Sequence, residues 1–225
     1  MTITNIKNNQ RNLVTYSNPD SIISEQFRTI RTNIKFSSIG NRSNVIQITS
    51  PNKGDGKTTT AANLAMSMAE HKDKVLLIDA NLRHPEIHLV YKIPNDVGLT
   101  TFLLNTDQDI KEIVHPTGIG MLDVMTSGPV PLNPSGIIGS PMMQELLTSA
   151  ALSYDWIIVD SPSLLEVTDA KILADFCDGI LLVFNKGKTN MKQAVTTKKI
   201  LEFVDNKIVG VILNDNLRKM RFGIF

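Results

Sequence analysis

A disulfide within the chain is excluded, because Cys177 is the one cysteine among 225 residues. The same count excludes a zinc site built on paired cysteines. Cys177 lies in an apolar stretch, so it is expected to be a buried structural thiol rather than a nucleophile. No apolar run approaches the roughly 18 residues needed to cross a bilayer. Met1 to Asn18 is polar and Asn-rich and lacks the pattern of a secretory leader. The chain is therefore expected to be cytoplasmic, and any place at a membrane must come from another protein. Charge of one sign is missing too: Lys and Arg together number 23 against 22 for Asp and Glu. Nothing global points to nucleic acid or an anionic surface. His71, His84, His88 and His115 show no spacing that would ligate a metal. Tyrosines are few: Tyr16, Tyr91 and Tyr154.

What is there is an alternation. Apolar residues make up 42% of the chain, enough for one sizeable domain. Met1 to Asn18 reads as a flexible arm. Ser21 to Phe36 carries Ile22, Ile23, Phe27, Ile30 and Ile34 at near-helical spacing. Strands are expected at Asn44 to Thr49, Lys74 to Asp79, Met121 to Thr126, Tyr154 to Asp160, Gly179 to Phe184 and Lys207 to Leu213. Helices are expected at Thr60 to Ala69, Gly98 to Asn105, Ser140 to Leu152, Asp169 to Phe176 and Thr189 to Val204. Gly128 to Pro134 is a proline-rich loop. Arg218 to Phe225 is a basic tail after a domain spanning 19–217. Continuous apolar strands separated by helices imply an α/β fold: a mostly parallel, doubly wound sheet with helices on both faces. Ligands in such sheets bind beyond the carboxyl ends of the strands.

The stretch Ser50-Pro51-Asn52-Lys53-Gly54-Asp55-Gly56-Lys57-Thr58-Thr59 joins the first strand to a helix. Strand, glycine loop, Gly-Lys-Thr and helix together make a phosphate-binding loop. Gly54 and Gly56 let backbone N–H groups converge on phosphate oxygens, with Asp55 between them. The helix N-terminus adds positive partial charge there. Lys57 can reach the terminal phosphates and Thr58 can offer a hydroxyl to Mg²⁺, with Thr59 next in the phosphate-binding run. Pro51 stands where the usual first glycine belongs.

Asp160 ends Trp156-Ile157-Ile158-Val159, the Walker-B arrangement of a carboxylate that holds Mg²⁺. Asp79 ends a second apolar strand and is followed by Asn81 and Arg83. Two carboxylates near one Mg·ATP permit a division of labour, one on the metal and one accepting a proton from an attacking hydroxyl. Asn214 ends the last strand, where it is either an adenine contact or a turn residue. Glu25, Arg28 and Arg31, at i, i+3 and i+6, share one side of the first helix.

These residues resemble the bacterial tyrosine kinases of the capsule and exopolysaccharide type, a branch of the MinD/ParA-like, deviant-Walker phosphate-loop ATPases. Gly54 to Thr59 fits Walker A, Leu76 to Pro85 fits Walker A′, and Ile157 to Pro162 fits Walker B. Glu25-Gln26-Phe27-Arg28-Thr29-Ile30-Arg31 fits the E-x-x-R-x-x-R helix that joins subunits into a ring. Ser127-Gly128 through Asn133-Pro134-Ser135 resembles a family loop. The resemblance implies ATP and Mg²⁺ as cofactors, protein tyrosine as substrate and a ring-forming homo-oligomer. It implies Lys57, Asp79 and Asp160 as catalytic, and Thr58, Asp79 and Asp160 around the metal. It also implies a transmembrane activator with a short cytoplasmic tail and a role in polysaccharide synthesis and export.

The chain departs from the pattern at several places. Asn52 occupies the position of the MinD/ParA signature lysine, and Lys53 lies one place beyond, which favours the kinase branch. Asn81 replaces the second Walker-A′ acid, and Ser163 a common second proline. The tail Arg218-Lys219-Met220-Arg221-Phe222-Gly223-Ile224-Phe225 contains no tyrosine. Of the three tyrosines present, Tyr16 on the arm is the first candidate acceptor and Tyr154 is expected to be packed. Two other readings stay open: a nucleotide-dependent assembly switch that transfers little phosphate, and a MinD/ParA-like positioning ATPase.

Overall fold

The computed structural model describes residues 13–37, 45–105, 109–202 and 208–215, and the backbone of 221–223. Strands β1 (Val45–Thr49), β2 (Val75–Asp79), β3 (Val114–Pro116), β4 (Leu122–Met125), β5 (Trp156–Asp160), β6 (Gly179–Asn185), β7 (Ile208–Asn214) and β8 (Arg221–Gly223) form one sheet. Its order is β3-β4-β2-β5-β1-β6-β7-β8. The six inner strands pair in parallel. The edge strands β3 and β8 run antiparallel to their neighbours. The expected doubly wound sheet is therefore present, with two short strands added at its edges.

Alternation along the strands feeds two cores, because successive side chains point to opposite faces. Ile46 and Ile48 of β1, Val75 and Leu77 of β2, and Trp156 and Ile158 of β5 join one cluster. Val45, Leu76, Ile78, Ile157 and Val159 join the other. The first face is covered by α1 (Val14–Ser17), α2 (Ile22–Phe36), α3 (Lys57–Glu70) and α4 (Ile87–Tyr91). The second carries α5 (Leu99–Leu104), α6 (Ile110–Ile113), α7 (Pro134–Ile138), α8 (Pro141–Ala150) and α9 (Asp169–Phe176). Leu201 of α10 (Met191–Glu202) packs with Ala170 and Ala174 of α9 over Ile180 and Leu182.

Helix α2 begins where the Ser21 hydroxyl accepts from Ser24 N at 3.1 Å, an N-cap. Phe27, Ile30 and Ile34 are buried on one stripe. Each contributes about 1.5–3 kcal/mol of burial. Helix α3 is apolar or small almost all round and lies between α2 and the sheet.

Both ends of the chain differ from expectation. The arm does not extend to residue 18: Leu13 is 2% exposed, and α1 packs on α3. Asn63 Oδ1 accepts from both the amide and the hydroxyl of Thr15, each at 3.1 Å. Residues 1–12 lie outside the described residues. At the other end, 221–223 form β8 rather than a loose tail, and the rest of 218–225 lies outside them. So do the expected helix end at Val204 and strand start at Lys207.

Candidate active site

The centre of the sheet positions the site. The adjacent strands β2, β5 and β1 end side by side, carrying Asp79, Asp160 and the phosphate loop. The loop needs two left-handed residues, Gly54 at φ 81° and Gly56 at φ 100°. A Cβ on Gly56 would also run into the Asn214 side-chain amide, so a larger residue would strain the backbone and displace Asn214. Gly56 is the N-cap of α3, so the first amides of that helix face the loop. A cleft of about 490 Å³ opens over it, lined on the loop side by Lys53, Gly54, Gly56, Lys57, Thr58 and Thr59.

Asp55 and Asn214 both spend side-chain hydrogen bonds on the loop itself. The Asp55 carboxylate turns back into the loop and accepts from Asn52 N at 2.9 Å. It is fully buried and shapes the loop, leaving its backbone as the part that can serve a ligand. Asn214 lines the cleft, but its amide donates to Asp55 O at 2.9 Å. It braces the loop where an adenine contact was the alternative to a turn residue.

Asp79 and Asp160 stand opposite one another in the parallel register of β2 and β5. Both are fully buried. Burial pushes Asp79 up to about 7, partly opposed by three backbone donors. These are Asn81 N to Oδ1 at 3.2 Å, and Glu86 N and Ile87 N to Oδ2 at 3.1 and 3.0 Å. Asp160 is raised as well, first by burial and then by the neighbouring Asp79 charge; the Thr58 hydroxyl and the Lys57 ammonium pull the other way. Neither Asp160 oxygen completes a well-aligned hydrogen bond among the described residues. A buried carboxylate next to a second one, with the Thr58 hydroxyl and the Lys57 ammonium as its only favourable neighbours among the described residues, is a place for a cation.

Several contacts that frame the site gave no signal in the sequence. Arg83 forms a two-pronged ion pair with buried Asp169, Nε to Oδ2 at 2.8 Å and Nη2 to Oδ1 at 3.1 Å. This ties the Walker-A′ segment to the start of α9. Gln193 of α10 donates to Asn52 Oδ1 at 2.8 Å. Buried Gln47 donates to Ser161 Oγ at 2.9 Å and Ala170 O at 2.7 Å. Asn81 spends its amide on His84 O at 2.8 Å. Ser163 lines the cleft, and its buried hydroxyl has no partner among the described residues. A single sequence marks none of these contacts, since each joins positions whose proximity only the fold creates.

The three charges proposed for subunit contact do not behave alike. Arg28 pairs with Glu25 at 2.8 Å on the exposed side of α2. Arg31 turns inward and donates to Ser67 O of α3 at 2.6 Å. It is a packing residue of its own subunit, at variance with an outward-facing role. Among the tyrosines, Tyr16 differs from expectation. Tyr16, placed on a free arm by its sequence position, is half-buried against the first core. Tyr91 is buried, and its hydroxyl donates to Ala62 O at 3.0 Å. Tyr154 donates to Asp123 Oδ2 at 2.9 Å and is packed as expected. Cys177 is buried, also as expected. No group of three or more His, Cys, Asp or Glu residues among those described could hold a metal without other ligands.

The family model described as "AAA domain" matches residues 43–217. Tyrosine-protein kinase YwqD of Bacillus subtilis (strain 168) is 44% identical over 205 residues, which cover 91% of this chain and 86% of that protein. Tyrosine-protein kinase CpsD of Streptococcus agalactiae serotype III is 36% identical over 191 residues, covering 84% and 81%. Among solved structures, the kinase domain of the Escherichia coli tyrosine kinase ETK superimposes with a TM-score of 0.87 at 32% identity, covering 92% and 81%. With the phosphate loop, the paired strand-end acids and the parallel sheet in place, the chain belongs to the AAA-domain phosphate-loop proteins and, within them, to the bacterial tyrosine kinases.

Proposed function

We propose that the chain transfers the γ-phosphoryl group of ATP to protein tyrosine. The observation that carries this reading is the pairing of Asp79 with Asp160 beside the phosphate loop. One buried acid near the metal suffices for hydrolysis; a second, with a proton affinity near neutrality, supplies a base for a hydroxyl nucleophile. The backbone from Gly54 to Thr59 would cradle the phosphates, and Lys57 would neutralise charge on the transferring group. Thr58 and Asp160 would hold Mg²⁺, which when bound neutralises charge on the phosphates. Asp79 would position the tyrosine hydroxyl and take its proton. Asn214 would keep the loop in shape at the nucleotide's edge.

The resemblance extends this reading to control of capsule or exopolysaccharide synthesis. No helix among the described residues is long and apolar enough to cross a membrane. By the same resemblance, a transmembrane activator with a short cytoplasmic tail would recruit the chain to the cytoplasmic face of the membrane. Glu25 and Arg28 would lie in the contact of a ring. A second reading, a nucleotide-driven assembly switch with weak transfer, is favoured by uncharged Asn81 and by the internal hydrogen bonds of Tyr91 and Tyr154.

The test is phosphotyrosine formation on a supplied protein acceptor with Mg·ATP, alongside nucleotide affinity. Lys57→Met should lose both. Asp79→Asn should lower transfer by ~10²–10⁴-fold while ATP affinity changes little. Equal loss of both by Asp79→Asn would make Asp79 a structural or metal residue. Wild-type chain that binds ATP yet labels no acceptor would favour the assembly switch.

A further inference from the structure

The segment after Walker B runs beside the start of the phosphate loop and is laced to it. Leu164 N donates to Ser50 O at 2.9 Å, and Leu165 N to Pro51 O at 3.2 Å. The next rung is made by a side chain: Lys53 N donates to Glu166 Oε1 at 2.8 Å. Two backbone bonds thus fix the segment, and the Glu166 carboxylate continues the ladder onto a loop amide. Lys53 and Glu166 both line the cleft with Gly54, Gly56 and Lys57. Lys53 is the cleft-lining loop residue farthest along the chain from helix α3. Its partner segment begins at Asp160, where the metal and the reacting phosphate belong.

We infer that Glu166 sets the preference of the site between nucleoside triphosphate and diphosphate. Resting on the nucleotide-binding reading above, the assignment follows from charge. The carboxylate occupies an N–H of the loop whose amides otherwise receive phosphate oxygens. A terminal phosphate entering the cleft meets a fixed negative charge and competes for that donor. ADP lacks the competing group and leaves the contact intact. Glu166 therefore opposes ATP more than ADP. When ATP binds, the carboxylate moves off Lys53 N and the rung is exchanged for a phosphate contact.

The test uses the full chain and three forms: wild type, Glu166→Gln and Glu166→Ala. Affinities for Mg·ATP and Mg·ADP are measured by calorimetry, and the Lys53 amide is followed by ¹⁵N–¹H NMR without nucleotide. Glu166→Ala should tighten Mg·ATP about tenfold, the scale of one charge-assisted hydrogen bond, and ADP less than twofold. Glu166→Gln keeps an acceptor without the charge and should fall between. The free Lys53 amide should exchange faster in Glu166→Ala than in wild type. An unchanged ATP-to-ADP ratio in both variants would overturn the inference. So would weaker Mg·ATP binding in Glu166→Ala, which would make the carboxylate a metal or substrate ligand. A wild type that binds neither nucleotide would remove the nucleotide reading itself; a wild type that binds both with the ratio unmoved would remove only the role of Glu166.

Discussion

Both oxygens of Asp160 are withdrawn from water without well-aligned donors, and the carboxylate of Asp79 lies opposite. In the nucleotide-free chain this arrangement costs stability wherever both acids are charged. Folding raises the proton affinity of both acids, chiefly through burial. The folded form then binds more protons than the unfolded form above the ordinary carboxylate range. The contribution of the pair is fullest below about pH 4 and is lost as pH rises through neutrality. Asp160→Asn removes one charge from the pair. The nucleotide-free variant should melt at a higher temperature than wild type at pH 8, with a smaller difference at pH 4. Phosphoryl transfer should fall sharply in the same variant. A lower melting temperature at pH 8 would mean that the Thr58 hydroxyl and the Lys57 ammonium stabilise the Asp160 carboxylate by more than its burial costs. Asn81 fits the same accounting. A charged acid there would stand close to Asp79, and the amide bond to His84 O would be lost.

Among the elements, α2 separates two roles that its motif merges. Arg28 lies on the exposed side, paired with Glu25 and bonded to Pro19 O at 2.9 Å. Arg31 is anchored to α3. Arg28→Ala should therefore reduce assembly, read as mass by light scattering with ATP present, and leave the melting temperature unchanged. Arg31→Ala should cost about 1 kcal/mol of folding as well, a fall of about 2–4 °C for a chain of this length. Equal melting temperatures in the two variants would refute the division. This division was not legible in the sequence, because i, i+3, i+6 spacing places both arginines on one side and cannot say what α3 offers to either. The inner strands were legible because a strand buried on both faces needs a continuous apolar run, as in Val75–Asp79 and Trp156–Asp160. The phosphate loop was legible because its glycines and Lys57 are fixed by chemistry. Helix α4 was not: it has five residues, and its start is set by Asp79 accepting from Glu86 and Ile87. Edge strands β3 and β8, three residues each, carry too little pattern.

For the whole molecule, the tyrosines decide whether the chain labels itself. Tyr91 and Tyr154 spend their hydroxyls on internal acceptors, and burial raises both above the ordinary phenol range. Phosphorylating either requires the hydroxyl to leave the core, at the cost of a local unfolding event. Tyr16 sits on α1, the short helix that Thr15 and Asn63 pin to α3. Opening α1, a single four-residue turn, disturbs less of the fold than drawing Tyr91 or Tyr154 from the core, so Tyr16 is the acceptor reached most easily. Arg218 to Phe225 offers no tyrosine within this sequence. Incubation with Mg·ATP should thus place well under one phosphate per chain on these residues, with Tyr16 first, while a supplied acceptor is labelled efficiently. Asn63→Ala, which removes the acceptor for Thr15, should raise labelling at Tyr16 and leave Tyr91 and Tyr154 as they were. Mass spectrometry of both forms reads all three sites at once. Near-stoichiometric phosphate on Tyr91 or Tyr154, or labelling of Tyr16 that does not respond to Asn63→Ala, would show that packing in the folded chain does not govern which hydroxyl reaches the active site.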